Sequence, residues 1–326
     1  MPAVTTDLRV QAGTQPVWTT GVTPTVALRG VTGFKIKPDQ QIDILSDMLL
    51  NYSGGDTPVV SRNGGGGSVD GWASYEDLAY WLDNFFGQAT PGASPGYARA
   101  YAAPITTLPT LRVLSLVHGD ATVGAYRLIG GIGNTFTLKQ EVSKELIFSQ
   151  ELIGSTIDAT TLAGALSVRT VTPIVSGDVS TMFLDNWAGT MGSTALTKCT
   201  LRNLTLTVNA NRQNRYCVGA LAAADYITKP WEGTLDLMLE WNSTSKAIID
   251  TMVGGAKSMH QFEVNYSGGT NKALKLQFAG TVSEAPDIFQ DNDGVVAVGL
   301  KLKSTYHPTF ANWLKLSLTS ATQTLA

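Results

Sequence analysis

The stretch with the best claim to metal chemistry is Asp291-Asn-Asp-Gly294, where side-chain oxygens crowd ahead of a glycine. A calcium loop would also need an acidic ligand five residues before Gly294 and a glutamate six residues after it. Phe289 and Leu300 stand there, so a turn between strands is the better use of these residues. His118, His260 and His307 are far apart, and none has a Cys or Asp at metal-ligand spacing. Gly131-Ile-Gly133 follows an apolar stretch as a dinucleotide fingerprint would. Its third glycine is replaced by Phe136 and no helix follows. No nucleophile elbow and no Walker loop are read. Cys199 and Cys217 lie within one candidate hairpin; a disulfide needs them to be cross-strand neighbours, and two free buried thiols are expected. The residues therefore name no catalytic, cofactor-binding or metal site, and the chain reads as a non-enzyme.

The elements that would position any site are mostly strands. The exception is Trp72 to Gly87, the strongest helix signal in the chain. Ser74 is a natural N-cap, and Glu76 and Asp77 put negative charge at the positive end of the helix dipole. Leu78, Trp81, Leu82 and Phe85 follow at i, i+3, i+4 and i+7, one helical face. Gly87 can take the left-handed position that stops the helix. Such an aromatic face needs a broad apolar surface, so Trp81, Phe85 and Phe86 are expected in the core or in a subunit contact. A weaker copy of the unit follows about 160 residues later. Leu235, Leu237, Leu239 and Trp241 alternate along Thr234–Trp241. Ser243 or Ser245 can then cap a helix striped by Ile248, Ile249, Met252 and Val253, closed by Gly254-Gly255. Two tandem copies of one strand-then-helix domain are expected, over 1–160 and 161–326.

Composition narrows the class. The chain has 326 residues, of which 43% are hydrophobic and 15% charged, against about 25% charged in an ordinary soluble domain. A surface this poor in charge is either Thr- and Ser-covered sheet or a surface hidden by other copies. The net charge of −3 argues against a protein that grips nucleic acid through its phosphates. It does not exclude one that lets nucleic acid slide past. No apolar run is long enough to span a membrane, and the N-terminal segment does not read as a secretory signal.

Along the chain, residues 1–27 read as an extended arm anchored by Trp18. Arg29–Leu45 reads as a strand pair or one long bent strand: Phe34 and Ile36 alternate with Lys35 and Lys37, Pro38-Asp39 turns, and Ile42 and Ile44 alternate again. Residues 51–67 read as a loop ending in Gly64-Gly-Gly-Gly67, a run unable to hold a fixed conformation without outside support. Leu111–His118, Tyr126–Ile129, Thr135–Leu138 and a returning strand from Leu146 follow, with turn signals at the spacing of a sandwich or barrel. Residues 153–162 read as the join and the next stretch as a second arm. Strands then recur at Thr200–Val208, Phe262–Tyr266, Lys272–Phe278, Val295–Leu302 and Trp313–Leu318, with Asn209–Arg215 a polar turn.

Three motifs carry a resemblance. Gly71-Trp-Ala-Ser-Tyr-Glu-Asp-Leu-Ala-Tyr-Trp-Leu-Asp83 resembles the helix of tail tube proteins of long-tailed bacteriophages. Gly30-Val-Thr-Gly-Phe-Lys-Ile-Lys-Pro38 resembles their early strand, and Phe289-Gln-Asp-Asn-Asp-Gly-Val-Val296 their late turn. Their order and spacing agree over most of the chain, which is about twice as long as a single-barrel tube subunit. The resemblance implies a mainly β, double-domain subunit: two tandem β-barrel or sandwich domains, each with a flanking helix, plus arms and loops. It implies self-assembly into stacked rings, trimeric and pseudo-sixfold, forming the conduit for DNA ejection. The implied partners are copies of the chain itself, tape measure, and tail terminator or tip proteins. Double-stranded DNA passes the lumen non-specifically, and no membrane is involved. The implied location is the virion tail, assembled in the host cytoplasm. Arms and loops at residues 1–27, 51–67 and 157–186 would reach the next ring. The competing readings are a β-sandwich binding or decoration module of a virion, for example for carbohydrate, and a hydrolase with convergent carboxylates.

Overall fold

A computed structural model describes residues 9–45, 57–164, 166, 168–284 and 287–325. In the first part of the chain the strands are β1 (Arg9–Thr14), β2 (Val26–Ala27), β3 (Val31–Leu45) and β4 (Thr57–Trp72). Helix α1 (Leu78–Phe85), β5 (Tyr97–Ala102), β6 (Leu114–Asp120), β7 (Gly124–Glu141), β8 (Ile147–Gly154) and β9 (Thr156–Thr160) follow. The rest comprises β10 (Val179–Asn186), β11 (Leu201–Asn209), β12 (Arg212–Arg215), β13 (Asp225–Thr228), β14 (Glu232–Glu240) and α2 (Ser243–Val253). It ends with β15 (Met259–Ser267), β16 (Ala273–Val282), β17 (Gln290–Asn292), β18 (Val295–Ser304) and β19 (Leu314–Ser320). The fold is mainly β, with every strand pair antiparallel.

Strand β7 is the hinge of the first part. Its leading half pairs with β6 and β9, and its trailing half with β8. The sheet order on the trailing side is β3–β4–β8–β7. The same order recurs as β11–β14–β18, with β17 on the outer edge of β18. On the other side β1–β6–β7 is matched by β10–β15–β16. The registers match in detail. Each leading strand carries a bulge after its first pair, between Val31 and Gly33 in β3 and between Leu201 and Asn203 in β11, and β3 has a second between Gln41 and Ile42. Such a bulge bends the strand and increases its twist. A single ladder joins the two four-strand sets, with Phe136 opposite Val208, Leu138 opposite Leu206 and Gln140 opposite Leu204. A second junction pairs β5 with β19.

The helix begins later than the spacing predicts. The Asp77 amide donates to Ser74 Oγ at 3.1 Å, but this closes a turn ahead of the helix, and α1 proper starts at Leu78. All eight of its residues are buried. Trp81 stacks 5.5 Å from Phe148, Phe85 lies 5.6 Å from Phe136, and Phe86 lies 5.9 Å from Phe136. Gly87 follows with φ +116°. Of the two expected destinations for these aromatics, the core is the one observed. In α2 the cap is Asn242, not Ser243 or Ser245: its side chain accepts from the Thr244 and Ser245 amides at 2.9 and 3.1 Å. Ser245 instead completes the capping box from inside the helix. Ile248 and Ile249 are buried, whereas Val253 is exposed, so the apolar stripe covers less than its spacing suggests. Asn242→Ala should cost about 1 kcal/mol, read as a lower denaturation midpoint with the fold retained.

Four sequence readings are corrected. Residues 57–67 are not a loop; they belong to β4, and the remainder of 51–67 lies outside the described residues. Gly65 and Gly66 pair with Gly154 and Ile153 on one side and with Pro38 and Lys37 on the other. Glycine is required there by close approach: a Cβ on Gly64 would strike the Tyr216 hydroxyl, on Gly65 Leu128 Cδ1, and on Gly67 the Lys35 carbonyl. The strands expected at Tyr126–Ile129 and Thr135–Leu138 are one, with Gly131-Ile-Gly133 inside it. The N-terminal arm contributes β1, hydrogen-bonded to β6 along its length. Cys199 and Cys217 are unbonded, as expected, but exposed and not buried.

Candidate assembly surfaces

Strand β3 carries the first candidate surface. Among the described residues it pairs with β4 alone, while its counterpart β11 is paired on both sides, by β14 and β7. The alternation that buries Phe34 and half-buries Ile36 sends Lys35 and Lys37 to solvent. A groove of about 690 Å³ lies over the sheet face that β3 shares with β4 and β8, lined by Ile36, Pro38, Gly65, Gly67 and Leu152 among others. Farther out, the β3–β4 ribbon leaves the body of the fold. Ile42, Ile44, Val59 and Val60 are all exposed there. A cluster of β-branched residues at the end of a two-stranded ribbon has no core of its own to enter, which marks it as a contact surface.

The opposite edge of the sheet ends at β17. Gln290–Asn292 pairs with β18 through Gln290–Ala297 and Asn292–Val295. Ser283 comes back to β18 through its amide, which donates to the Lys301 carbonyl at 2.9 Å. Phe289, one residue before β17, is 66% exposed with φ +63°, an uncommon conformation for a bulky side chain. It makes an edge contact with Trp241 at 4.9 Å. Asp291 closes the following turn by accepting from the Gly294 amide at 2.8 Å, with Asp293 and Gly294 at positive φ. The Asp291–Gly294 stretch is thus a hairpin turn.

Where charge is buried, it ties the parts of the chain together. The second arm is ordered against the approach to α1: the Ile174 amide donates to the Ala73 carbonyl and the Tyr75 amide to the Thr172 carbonyl. Glu76 Oε2 accepts from the Thr172 amide at 2.7 Å, and its Oε1 faces Lys272 Nζ at 3.4 Å. Asp77 accepts from the Arg29 amide at 3.1 Å. Burial raises the Asp77 carboxyl above its usual range, partly opposed by that hydrogen bond and by Arg169. So Glu76 and Asp77, read as dipole charges, mainly fasten the two arms. Arg212 on β12 is 3% exposed. It donates to the Phe85 carbonyl at 2.7 Å and to the Gly133 carbonyl, and its guanidinium lies 5.2 Å from the Phe85 ring and 5.0 Å from the Trp231 ring. Burial pulls its pKa down to about 10, so it stays charged at neutral pH. Arg212 sat unremarked in the expected polar turn.

No reaction site emerges from this arrangement. Among the described residues no group of three or more His, Cys, Asp or Glu could hold a metal. The ring nitrogens of His118, His260 and His307 contact the Arg9 carbonyl, Ser258 Oγ and the Trp187 carbonyl. One Gly-x-Ser-x-Gly string, Gly92-Ala-Ser-Pro-Gly96, does occur, against the reading that none does. It lies in the loop between α1 and β5, with Ser94 exposed and no strand-to-helix turn around it. None of the seven tryptophans is exposed, and the exposed rings of Tyr126, Phe289 and Tyr306 sit on separate elements. That is a poor platform for stacking a sugar. No helix among the described residues is long and apolar enough to cross a membrane.

No curated protein matches this chain. A family model described as phage tail tube protein matches residues 5–300. That span takes in β3, α1 and β17, the elements of the three resembling motifs, and runs through both four-strand sets. The chain belongs to the phage tail tube protein family.

Proposed function

We propose that this chain is a non-enzymatic structural subunit that polymerises into the stacked rings of a tail tube. On this reading the chain is two tandem tail-tube units, 1–160 and 161–326, fused through the β7–β11 ladder. Three chains would then make a pseudo-sixfold ring around a lumen through which DNA leaves the virion. The observation that carries this is the repeated four-strand order, joined internally yet ending in two edges that have no outer neighbour among the described residues. An open edge in a soluble subunit is a liability unless another chain completes it. The low charge and net −3 suit a conduit that must not hold its cargo. Its partners would be tape measure and tail terminator or tip proteins, in a virion tail assembled in the host cytoplasm.

The test is negative-stain microscopy of the purified protein, alone and with tail-tip complexes as template. Stacked hollow rings are expected. A protein that remains monomeric at high concentration and on every template would refute the proposal.

On this reading the exposed β3–β4 ribbon contacts the next ring. Replacing Ile42, Ile44, Val59 and Val60 together by Ser should leave the subunit folded, since these side chains are exposed. Single rings should persist while stacks are lost. Full-length tubes from that variant would exclude the ribbon from ring stacking.

A further inference from the structure

We infer that residues 2–7 of one copy fill a slot beside α2 of the copy next to it, as residues 173–178 fill the matching slot beside α1 within the chain. The inference rests on the ring reading above and adds a contact that uses neither open sheet edge. The filled slot lies where β4 and β8 part. The Ala73 amide still donates to the Leu146 carbonyl at 2.7 Å, and Ile174 bridges the other two groups. Its amide donates to the Ala73 carbonyl at 2.9 Å, and its carbonyl accepts from the Leu146 amide at 2.8 Å. Leu146 and Ile174 are both fully buried. Trp241 and Val296 hold the places of Ala73 and Leu146 in the second part of the chain. The Trp241 amide donates to the Val296 carbonyl at 2.8 Å. One residue on, Asn242 accepts from the Ser245 amide as Ser74 does from the Asp77 amide. Ser143 and Asp293, each three residues before Leu146 and Val296, both have positive φ. Among the described residues no segment runs between Trp241 and Val296, and Val296 is 49% exposed.

The sequence names the occupant. Pro173-Ile-Val-Ser-Gly-Asp178 has a near copy in Pro2-Ala-Val-Thr-Thr-Asp7, with proline, valine, a hydroxyl residue and aspartate at the same intervals. Strand register aligns the two stretches independently. Leu152 and Leu302, each six residues after Leu146 and Val296, pair with Gly133 and Val282. Six residues before these, Arg127 pairs with Val117 and Leu276 with Val264. Val117 and Val264 pair in turn with Gln11 and Met182, which stand four residues after Asp7 and Asp178. Residues 173–178 lead into β10 of the second part yet cover the approach to α1 in the first. The same step carries residues 2–7, which lead into β1, to the second part of another copy. Two side-chain features fit. Asp178 accepts from the Val175 amide at 3.3 Å, a local bond that Asp7 and Val4 can repeat. Ile174 stands opposite Ala73, whereas Ala3 would stand opposite Trp241, so the bulky member changes sides and the slot stays filled.

Glu145 and Val175 are bridge partners in the filled slot, and Val295 and Val4 hold their places. The experiment uses the full chain with Cys199→Ser and Cys217→Ser, to remove the exposed thiols, carrying Val4→Cys and Val295→Cys together. Bridge partners are close enough for a disulfide. Assembled protein is oxidised and run on a denaturing gel. A covalent ladder rising to the ring's subunit number is expected, while Glu145→Cys with Val175→Cys should close within one chain. The control pair Val4→Cys with Ile105→Cys, the latter exposed on the loop after β5, should give no ladder. Rings visible by microscopy with no ladder, with an equal ladder from the control, or with closed monomers alone would overturn the arm contact and leave the ring reading standing. No rings from the unaltered protein would overturn both. If the cysteine chain does not assemble, Ala3→Glu decides. Its circular dichroism should match the parent's while rings disappear, and rings that persist would count against the slot.

Discussion

Trp81→Ala is expected to cost about 3–5 kcal/mol of stability and to yield protein that misfolds or melts well below the parent. Trp81 is completely buried on α1, and its ring stacks at 5.5 Å on Phe148 of β8. Truncation would leave a cavity under a helix buried on all sides, with no mobile surface to collapse into it. Its indole N–H has no protein hydrogen-bond partner. Trp81→Phe gives up that unsatisfied donor along with some volume, so it should recover much of the loss. Denaturant melts followed by near-ultraviolet circular dichroism separate the two variants. A Trp81→Ala subunit as stable as the parent, but unable to assemble, would contradict the core assignment.

The second large effect is expected at Arg212. Its guanidinium answers two carbonyls from the first part of the chain, one of them the Phe85 carbonyl at the end of α1, where the helix dipole favours a cation. Hydrogen bonds to a charged group are worth about 1.5–3 kcal/mol, and a buried acceptor left without one carries its own penalty. Arg212→Ala should therefore destabilise by about 3 kcal/mol or more, and Arg212→Met nearly as much despite its bulk. Lysine should rescue poorly, because one ammonium cannot reproduce the planar fork that reaches both carbonyls between two rings. Thermal melts of the three variants check the ranking. A methionine variant as stable as the parent would mean that packing against Phe85 and Trp231, not charge, holds this junction.

These two residues mark how far the sequence could be read. Trp81 was visible because helical spacing is local: Leu78, Trp81, Leu82 and Phe85 all turn out buried. Leu204, Leu206 and Val208, and then Leu235, Leu237 and Leu239, were visible for the same reason at period two. Arg212 was invisible because nothing near it in sequence explains its burial; its partners lie on α1 and β7. The glycine run misled for the same cause. Four glycines have weak strand preference on their own, and their place in β4 is dictated by Tyr216, Leu128 and the Lys35 carbonyl, which arrive from elsewhere. Gly130 to Gly133 likewise punctuate β7 in sequence without interrupting it in space. Asn242 lost to its serine neighbours because two residues with capping propensity sat beside it. For the assembly surfaces, the strand of β3 was legible, as was the turn after Asp291. That β3 lacks a neighbour on one side was not, since strand pairing is a property of the whole topology.

One detail of β3 bears on when polymerisation begins. Its open side offers Lys35, Lys37 and Pro38 in succession. Two cations repel each other in any accidental pairing of like edges, and proline supplies no amide to a ladder. Newly made subunits should accordingly remain dispersed, with a long lag before spontaneous growth, until a preformed seed is present. The number of tubes would then be set by how many seeds a cell contains and not by how much subunit it makes.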